Sequence, residues 1–458
     1  MPKRSLGTRS NACTISKVQD RLTIQPAGRP VRGRIRPPGS KSITNRALVC
    51  AALAQGTSTL GGALDSEDTR VMIESLGRLG IAVESRDEGR TLIVHGCGGQ
   101  IPVASAHLFV GNSGTTIRFL TAMCALGHGM YRLDGVPRMR ERPIGDLLDA
   151  LRQLGVDVRC EGREGFPPVA VIANGLHTGD LEATVRGEIS SQFLSGLLMA
   201  IAAAGEYVRI TVAGELVSKP YAAMTLKVIE SFGGVIEQDG WQEFLSRDCD
   251  PGYRGCNYAI EPDASAASYF WAAAAITGGE VTVEGLSQDS LQGDVAFVEC
   301  LEKMGCRVTY AADSITVGGR AERGIDVDMN AISDTVQTLS AVALFADGPT
   351  TIRGVGHIRH KETDRIGDLA RELRKFGAQV DESADGLRIT PTRSVSEGLS
   401  GAAAASHTAI DIETYHDHRM AMSLALPGLV RPGVTILNPA CTAKTYPKFF
   451  EDLAALTQ

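Results

Sequence analysis

Six stretches of 11 to 15 residues along the chain read as almost wholly apolar yet small-residued: ITNRALVCAALAQG (43–56), TTIRFLTAMCALG (115–127), SQFLSGLLMAIAAAG (191–205), ASYFWAAAAITGG (267–279), TVQTLSAVALFADG (335–348) and HRMAMSLALPG (418–428). They predict helices rich in small residues with an apolar face for the core. Each is followed by a strand-like run, in turn STLGG, YRLDGV, VRITVAGEL, VTVEGL, TTIRGV and VTILNPA. Amphipathic second helices then end in ESLGRLG, DALRQLG, IESFGG, ECLEKMG and ELRKFG, and a closing glycine suits a left-handed cap. Those glycines, Gly80, Gly155, Gly233, Gly305 and Gly377, lie 75, 78, 72 and 72 residues apart. Six such units fill nearly everything after residue 38. A unit of this kind cannot bury its own apolar faces, so three and three packing into two domains is the simplest outcome. An ordinary doubly wound α/β sheet would not repeat the same helix type at the same place each time.

Composition fits this picture. At 458 residues, 43% hydrophobic and 22% charged, the chain can fill real cores, which excludes disordered and fibrous classes. Its formal net charge of −7 and lack of a basic block argue against nucleic acid as a partner. Ten cysteines without a C-x-x-C offer neither a zinc knuckle nor a dithiol motif and fit a reducing cytoplasm. No apolar run is long enough to span a membrane, and the start lacks a secretory h-region. Residues 1–21 read as a flexible tail rather than a transit peptide, and Ser/Gly/Ala-rich 394–408 as a surface insertion.

Against that acidic background, cations gather at the starts of the repeated helices. Pro38-Gly39-Ser40-Lys41-Ser42 and Arg46 precede or open the first, Gly111-Asn112-Ser113-Gly114-Thr115 and Arg118 the second, and Ser190-Ser191-Gln192 the third. A serine there is by itself an N-cap. Cations beside the cap occupy the electrostatically wrong end of a helix unless an anion neutralises them, whereas free N–H groups there cradle phosphate or carboxylate. The second helices add Arg138, Arg140 and Arg142, Lys219 and Tyr221, Lys361, Glu362 and Arg365, and Lys444, while Arg419 follows His416-Asp417-His418. Together these cations predict a polyanionic small-molecule ligand. Asp334 and Glu362 lie among them as candidate acid–base groups, with Lys41 able to donate or accept a proton. No nucleotide P-loop, G-x-S-x-G or H-E-x-x-H occurs, and His416-Asp417-His418 lacks a further ligand group for a metal.

Taken in order, PGSKSITNRA, GNSGTTIR, PRMRERPIG, SSQF, SKPY, KETDR, HDHRMAM and CTAKTYP resemble the enolpyruvyl transferase family, from about Leu22 to the C-terminus. The resemblance implies an α/β fold of two similar domains, each of three βαβαββ repeats around a pseudo-threefold axis, an inside-out α/β barrel. It sets one domain at 39–261 and the other at 22–38 with 262–458, with substrates in the cleft between them. The implied reaction moves the enolpyruvyl group of phosphoenolpyruvate to the 5-hydroxyl of shikimate 3-phosphate and releases phosphate through a tetrahedral adduct, without metal or organic cofactor. Carried over by position, Lys41, Ser42, Arg46, Ser190, Ser191, Ser218, Tyr221, Asp334, His357 and Lys361 would hold shikimate 3-phosphate. Lys41, Asn112, Gly114, Arg142, Gln192, Arg365, Arg419 and Lys444 would hold phosphoenolpyruvate. Asp334 would be the base for the 5-hydroxyl, and Glu362 with Lys41 would handle the proton at the methylene carbon.

Departures from the family pattern are His357 in place of a frequent Asn, Phe119 in place of Pro in some members, and Ser113 in place of a common Ala. Gly114 is kept, which implies sensitivity to glyphosate. The sister transferase acting on a UDP-amino sugar carries a reactive cysteine after its second small-residue helix, and residues 125–159 contain none in that loop. A catalytically silent anion-binding scaffold would have no need of Asp334 and Glu362. A cytoplasmic monomer acting on small molecules, without nucleic acid or membrane, is the expectation.

Overall fold

The structure is a computed structural model and describes residues 20–176, 179–247, 252–392 and 409–457. Most of the tail expected at 1–21 and all of the insertion expected at 394–408 lie outside the described residues. Arg21, placed in that tail from sequence, instead opens a strand, Arg21–Thr23, and pairs with Asp411 at 2.6 Å.

The small-residue stretches are helices, and they are buried as their composition demands. Every residue of Gly114–Cys124, Ala264–Thr277, Val336–Ala343 and His418–Ala425 is buried, as is Lys41–Leu53 from Ile43 onward. Ser191–Ile201 buries all but Gln192. Small side chains let these helices pack closely together, with sheets outside them; the strand Leu181–Arg186 alternates buried and exposed, one face in and one in water. The outer helices show the predicted stripe: Gly145–Gln153 buries Leu147, Leu148, Ala150 and Leu151 and is capped beyond by Gly155 at φ +82°. Gly80, Gly233, Gly305 and Gly377 share that left-handed conformation, where a Cβ would be strained.

Each complete unit makes one four-stranded sheet. In the second, Ser105–Phe109 runs parallel to His128–Asp134, which pairs antiparallel with Val169–Asn174, which in turn pairs with Asp157–Cys160. The first sheet borrows its lead strand from far away: Asn257–Ala259 lies parallel to Thr57–Gly61 and closes a ring of three units. The chain start serves the other half in the same manner, Arg32–Ile35 leading the sheet of Glu280–Glu284 and Arg21–Thr23 completing that of Val434–Leu437. Two separate apolar cores result. One runs from Ile43 to Ile260, and the other combines Ile24 and Val31 with Ala264 to Leu453.

Two strand crossings join the cores side by side. Ser40 N–H donates to Glu261 O at 2.8 Å and Asp263 N–H to Pro38 O at 2.8 Å. This fixes the start of helix Lys41–Leu53 against the start of helix Ala264–Thr277. The N-termini of the buried helices thereby open towards the space between the halves.

Candidate active site

Those helix starts are capped by the residues singled out from sequence. The hydroxyls of Ser40, Ser113 and Ser190 accept from the N–H groups of Ile43, Thr116 and Gln192, so these serines are caps. Asp263 and Asp417 cap two helices of the second half. Asp263 also accepts from the Lys41 N–H at 3.1 Å, tying the two halves at the site.

On the first half, the arginines at the site lean on neutral oxygens. Arg142 donates to the Asn112 carbonyl and side-chain oxygens at 3.0 and 3.3 Å, and Arg118 to Gln192 Oε1 at 2.7 Å and Pro143 O at 3.0 Å. Gln192 donates to Thr115 at 3.2 Å. Gly114 is at the centre of this wall: a Cβ there would lie 2.7 Å from Arg142 Cζ. Arg46 is turned inward, 2% exposed, bonded to Thr225 at 2.7 Å and to the carbonyls of Ser42 and Tyr221 at 2.9 and 3.2 Å. Few of its donors face the cleft, so its charge acts mostly through Ser42 and Tyr221. Ser190 and Ser191 are buried at the start of their helix and join the group through Gln192.

On the second half, Arg365, Arg419 and Lys444 are already paired. Arg365 bonds Asp417 at 2.7 Å, Glu362 at 2.8 Å and Asp334 at 3.1 Å, and Arg419 bonds Asp334 at 2.7 Å. Lys444 reaches across to Asp68 at 2.8 Å and to Asn112 O at 2.9 Å, and lies 3.8 Å from Glu362. Asp68 is also 3.8 Å from Lys41. Arg138 donates to the carbonyls of Lys361 and Glu362, each at 3.1 Å. Between the walls lies a cavity of about 1090 Å³ lined by, among others, Asp68, Asn112, Arg138, Glu362 and Lys444.

A separate polar cluster, outside the lining of that cavity, joins the halves. His357 shares its Nε2 with Ser333 at 3.0 Å and Ser218 at 3.2 Å, and the Ser218 N–H donates to Asn330 at 2.9 Å. Tyr221 donates its single phenolic proton towards Asp294 at 3.0 Å and Asp334 at 3.2 Å. The sequence-predicted residues are therefore brought together, Arg46, Ser190 and Ser191 being the least directly engaged.

The electrostatics follow from burial and charge count. Lys41, Arg46, Arg118, Arg142, Lys361, Arg365, Arg419 and Lys444 outnumber Asp68, Asp263, Asp294, Asp334, Glu362 and Asp417. Burial alone would push the Asp334 and Glu362 carboxyls up. Arg419, Lys361 and Arg365 hold Asp334, and Arg365, Arg142 and Lys444 hold Glu362, well below the usual carboxylate range. Burial and the Asp334 charge push Asp294 up to about 6. Burial lowers Lys361 to about 8 and His357 to about 3, so this imidazole is neutral in the resting site. Arg118 is lowered to about 9 by burial and by Arg142. The Nε groups of Arg118, Arg142 and Arg419 are buried without a partner among the described residues.

Four acids escaped the sequence reading. Asp68 and Asp263 look like ordinary helix-start residues, Asp294 lies in a short 3-10 turn, and Asp417 was weighed only as a metal ligand. Their meaning appears only when the halves meet.

The chain matches the family model of EPSP synthase (3-phosphoshikimate 1-carboxyvinyltransferase) over residues 26–453. A 3-phosphoshikimate 1-carboxyvinyltransferase of Nitrosomonas europaea is 48% identical over 429 residues, 93% of this chain and 96% of that protein. The chloroplastic enzyme of the same name from Arabidopsis thaliana is 45% identical, covering 99% of this chain and 88% of that protein. Among solved structures, EPSP synthase from Acinetobacter baumannii superposes with a TM-score of 0.75 at 26% identity, over 96% of this chain and 98% of that one. The enolpyruvyl transferase NikO from Streptomyces tendae shares the fold, with a TM-score of 0.73 at 20% identity over 95% and 97% of the two chains. With two rings of three units, buried helices inside and cations from both halves facing one cleft, the chain belongs to the EPSP synthase family of enolpyruvyl transferases.

Proposed function

We propose that this cleft transfers the enolpyruvyl group of phosphoenolpyruvate to the 5-hydroxyl of shikimate 3-phosphate, releasing phosphate. The observation that carries this reading is the pair of carboxylates, Asp334 and Glu362, held ionised inside a cleft whose cations exceed its acids. Anionic substrates supply the missing negative charge, and the two acids supply proton transfer.

In this reading Ser42, Ser190, Ser191, Ser218, Tyr221, His357 and Lys361 hold shikimate 3-phosphate, with Arg46 supporting them from behind. Asn112, Gly114, Arg142, Gln192, Arg365, Arg419 and Lys444 hold phosphoenolpyruvate, with Lys41 shared. Asp334 takes the proton from the 5-hydroxyl, whose oxygen bonds to C2 of phosphoenolpyruvate. The methylene carbon gains a proton from the Lys41 ammonium, because Glu362 in the resting site is ionised and has none to give. That gives the tetrahedral adduct. In the second step Glu362 removes a proton from the new methyl group, the double bond re-forms, and the C2–O bond to phosphate breaks with its electrons leaving on phosphate. Substrate anions that engage Arg365, Arg142 and Lys444 loosen their hold on Glu362, so its affinity for a proton rises when it is needed.

We further propose that units 39–261 and 22–38 with 262–458 close on the substrates as two bodies, excluding water. The enzyme acts as a cytoplasmic monomer; among the described residues no helix is long and apolar enough to cross a membrane. The test is phosphate release from phosphoenolpyruvate by the purified chain in the presence of a chelator. Release that requires shikimate 3-phosphate is the expected result, and release only with a UDP-amino sugar as acceptor, or with neither, would overturn the reading.

A further inference from the structure

A second cavity, of about 560 Å³, lies where the chain crosses between the halves. That volume is in the range of small-molecule sites. Its floor is apolar and flat-faced, built from Pro37, Pro38, Leu64, Ile260, Pro262 and Tyr446. Its charged rim is cationic in balance. Asp65 is engaged by Arg70 through two bonds of 2.6 Å, and Asp452 accepts from the Tyr446 hydroxyl at 2.7 Å. Among the described residues Arg36 and Lys448 make no ion pair, and they line the cavity with Arg90 against the unpaired acids Glu88 and Asp452.

The walls of this cavity are the segments that carry the cleft. Pro38-Gly39 leads within three residues to Lys41, Asp65 to Asp68, Pro262 to Asp263, and Tyr446 follows Lys444 by two. These segments are locked to one another. Gly39 packs so closely on the Gly62 carbonyl that a Cβ would collide with it. Asp263 accepts from the Lys41 N–H at 3.1 Å, and Lys444 bonds Asp68 at 2.8 Å. Because these segments carry both lysines, a molecule held among them would bear on the cleft.

We infer that this cavity is a second ligand site, for a small aromatic carboxylate, whose occupancy changes the affinity of the cleft for phosphoenolpyruvate. The proline-rich floor takes the ring, and Arg36 and Lys448 take the carboxylate. Binding itself stands independently of the proposed function; the coupling rests on it.

The test uses the full chain and benzoate, with benzamide as the uncharged control, titrated by calorimetry with shikimate 3-phosphate present to occupy the cleft. Benzoate is expected to bind at one site and benzamide not. The Arg36→Ala/Lys448→Ala double variant, and Lys448→Glu alone, should weaken benzoate by roughly fivefold or more, the loss of charge-assisted hydrogen bonds at an exposed rim. Benzoate should also change the KM for phosphoenolpyruvate in the parent protein and not in the variants. No binding, binding unchanged in both variants, or simple competition with phosphoenolpyruvate that survives the substitutions would overturn the site. A chain that binds benzoate through Arg36 and Lys448 but turns nothing over would keep the site and defeat the proposed function instead.

Discussion

The two walls of the cleft are built from the same repeated unit yet treat charge in opposite ways. In the first half, Arg46, Arg118 and Arg142 bond carbonyls, hydroxyls and amides, and burial depresses all of them, Arg46 to about 10. In the second half, Arg365 and Arg419 bond carboxylates directly, and Asp417, Glu362 and Asp334 raise the basicity of Arg365 despite its burial. The arginines of the first wall thus have no carboxylate partner and are open to an anion. The second is a balanced ion network that holds two acids in a defined protonation state. One repeat architecture can separate binding from proton transfer simply by what stands opposite each arginine.

The strongest way to break this contrast is to neutralise an acid of the second wall. Glu362→Gln and Asp334→Asn should each lower kcat by roughly 100- to 10,000-fold, the span of general acid–base catalysis, measured by steady-state phosphate release. Shikimate 3-phosphate should still bind, because an already cationic cleft has lost a negative charge. Asp417→Ala tests the network as structure: it strips Arg365, 2% exposed in its side chain, of its shortest carboxylate bond, and should cost on the order of 3–5 kcal/mol of stability, read by thermal or denaturant unfolding.

Substitutions in the first wall should move binding instead. Arg142→Ala should raise the KM for phosphoenolpyruvate by roughly tenfold or more, since a buried charged donor is worth about 1.5–3 kcal/mol. Gly114→Ala drives a methyl into the Arg142 guanidinium and should raise the same KM by a smaller factor, together with the inhibition constant for glyphosate. The smallest effect is on pH. Free Lys361 titrates near 8, its charged form being disfavoured by burial, so it is protonated below that pH and neutral above it. Affinity for shikimate 3-phosphate should therefore fall as pH rises through 8, and Lys361→Ala should flatten that part of the profile while lowering affinity throughout.

Much of this was legible in the chain. Small-residue stretches with an apolar face read as core helices, and glycines 72 to 78 residues apart can mark repeated helix ends because a left-handed cap admits little else. The cations at helix starts were visible for the same reason, as charges at the wrong end of a dipole. Ring closure was not: strand Asn257–Ala259 is separated from its partner Thr57–Gly61 by the rest of the first half, and three-residue strands leave no periodic signal. The acids that organise the cations were hidden for a related reason. Asp68, in the first turn of helix Glu67–Arg78, satisfies local helix chemistry, and nothing nearby in sequence shows that Lys444, 376 positions away, also depends on it. Arg46 shows a different limit. Its position read as substrate-facing, but Thr225, Ser195 and the Phe119 ring draw the guanidinium into the core.

The most direct test of the division between the walls is a paired kinetic measurement on Glu362→Gln and Arg142→Ala under the same conditions. Glu362→Gln should lose kcat with an unchanged or lower KM for phosphoenolpyruvate, while Arg142→Ala should raise that KM with a much smaller loss of kcat. If instead Glu362→Gln keeps kcat and raises KM, the second wall is a binding surface and the separation of binding from proton transfer is wrong.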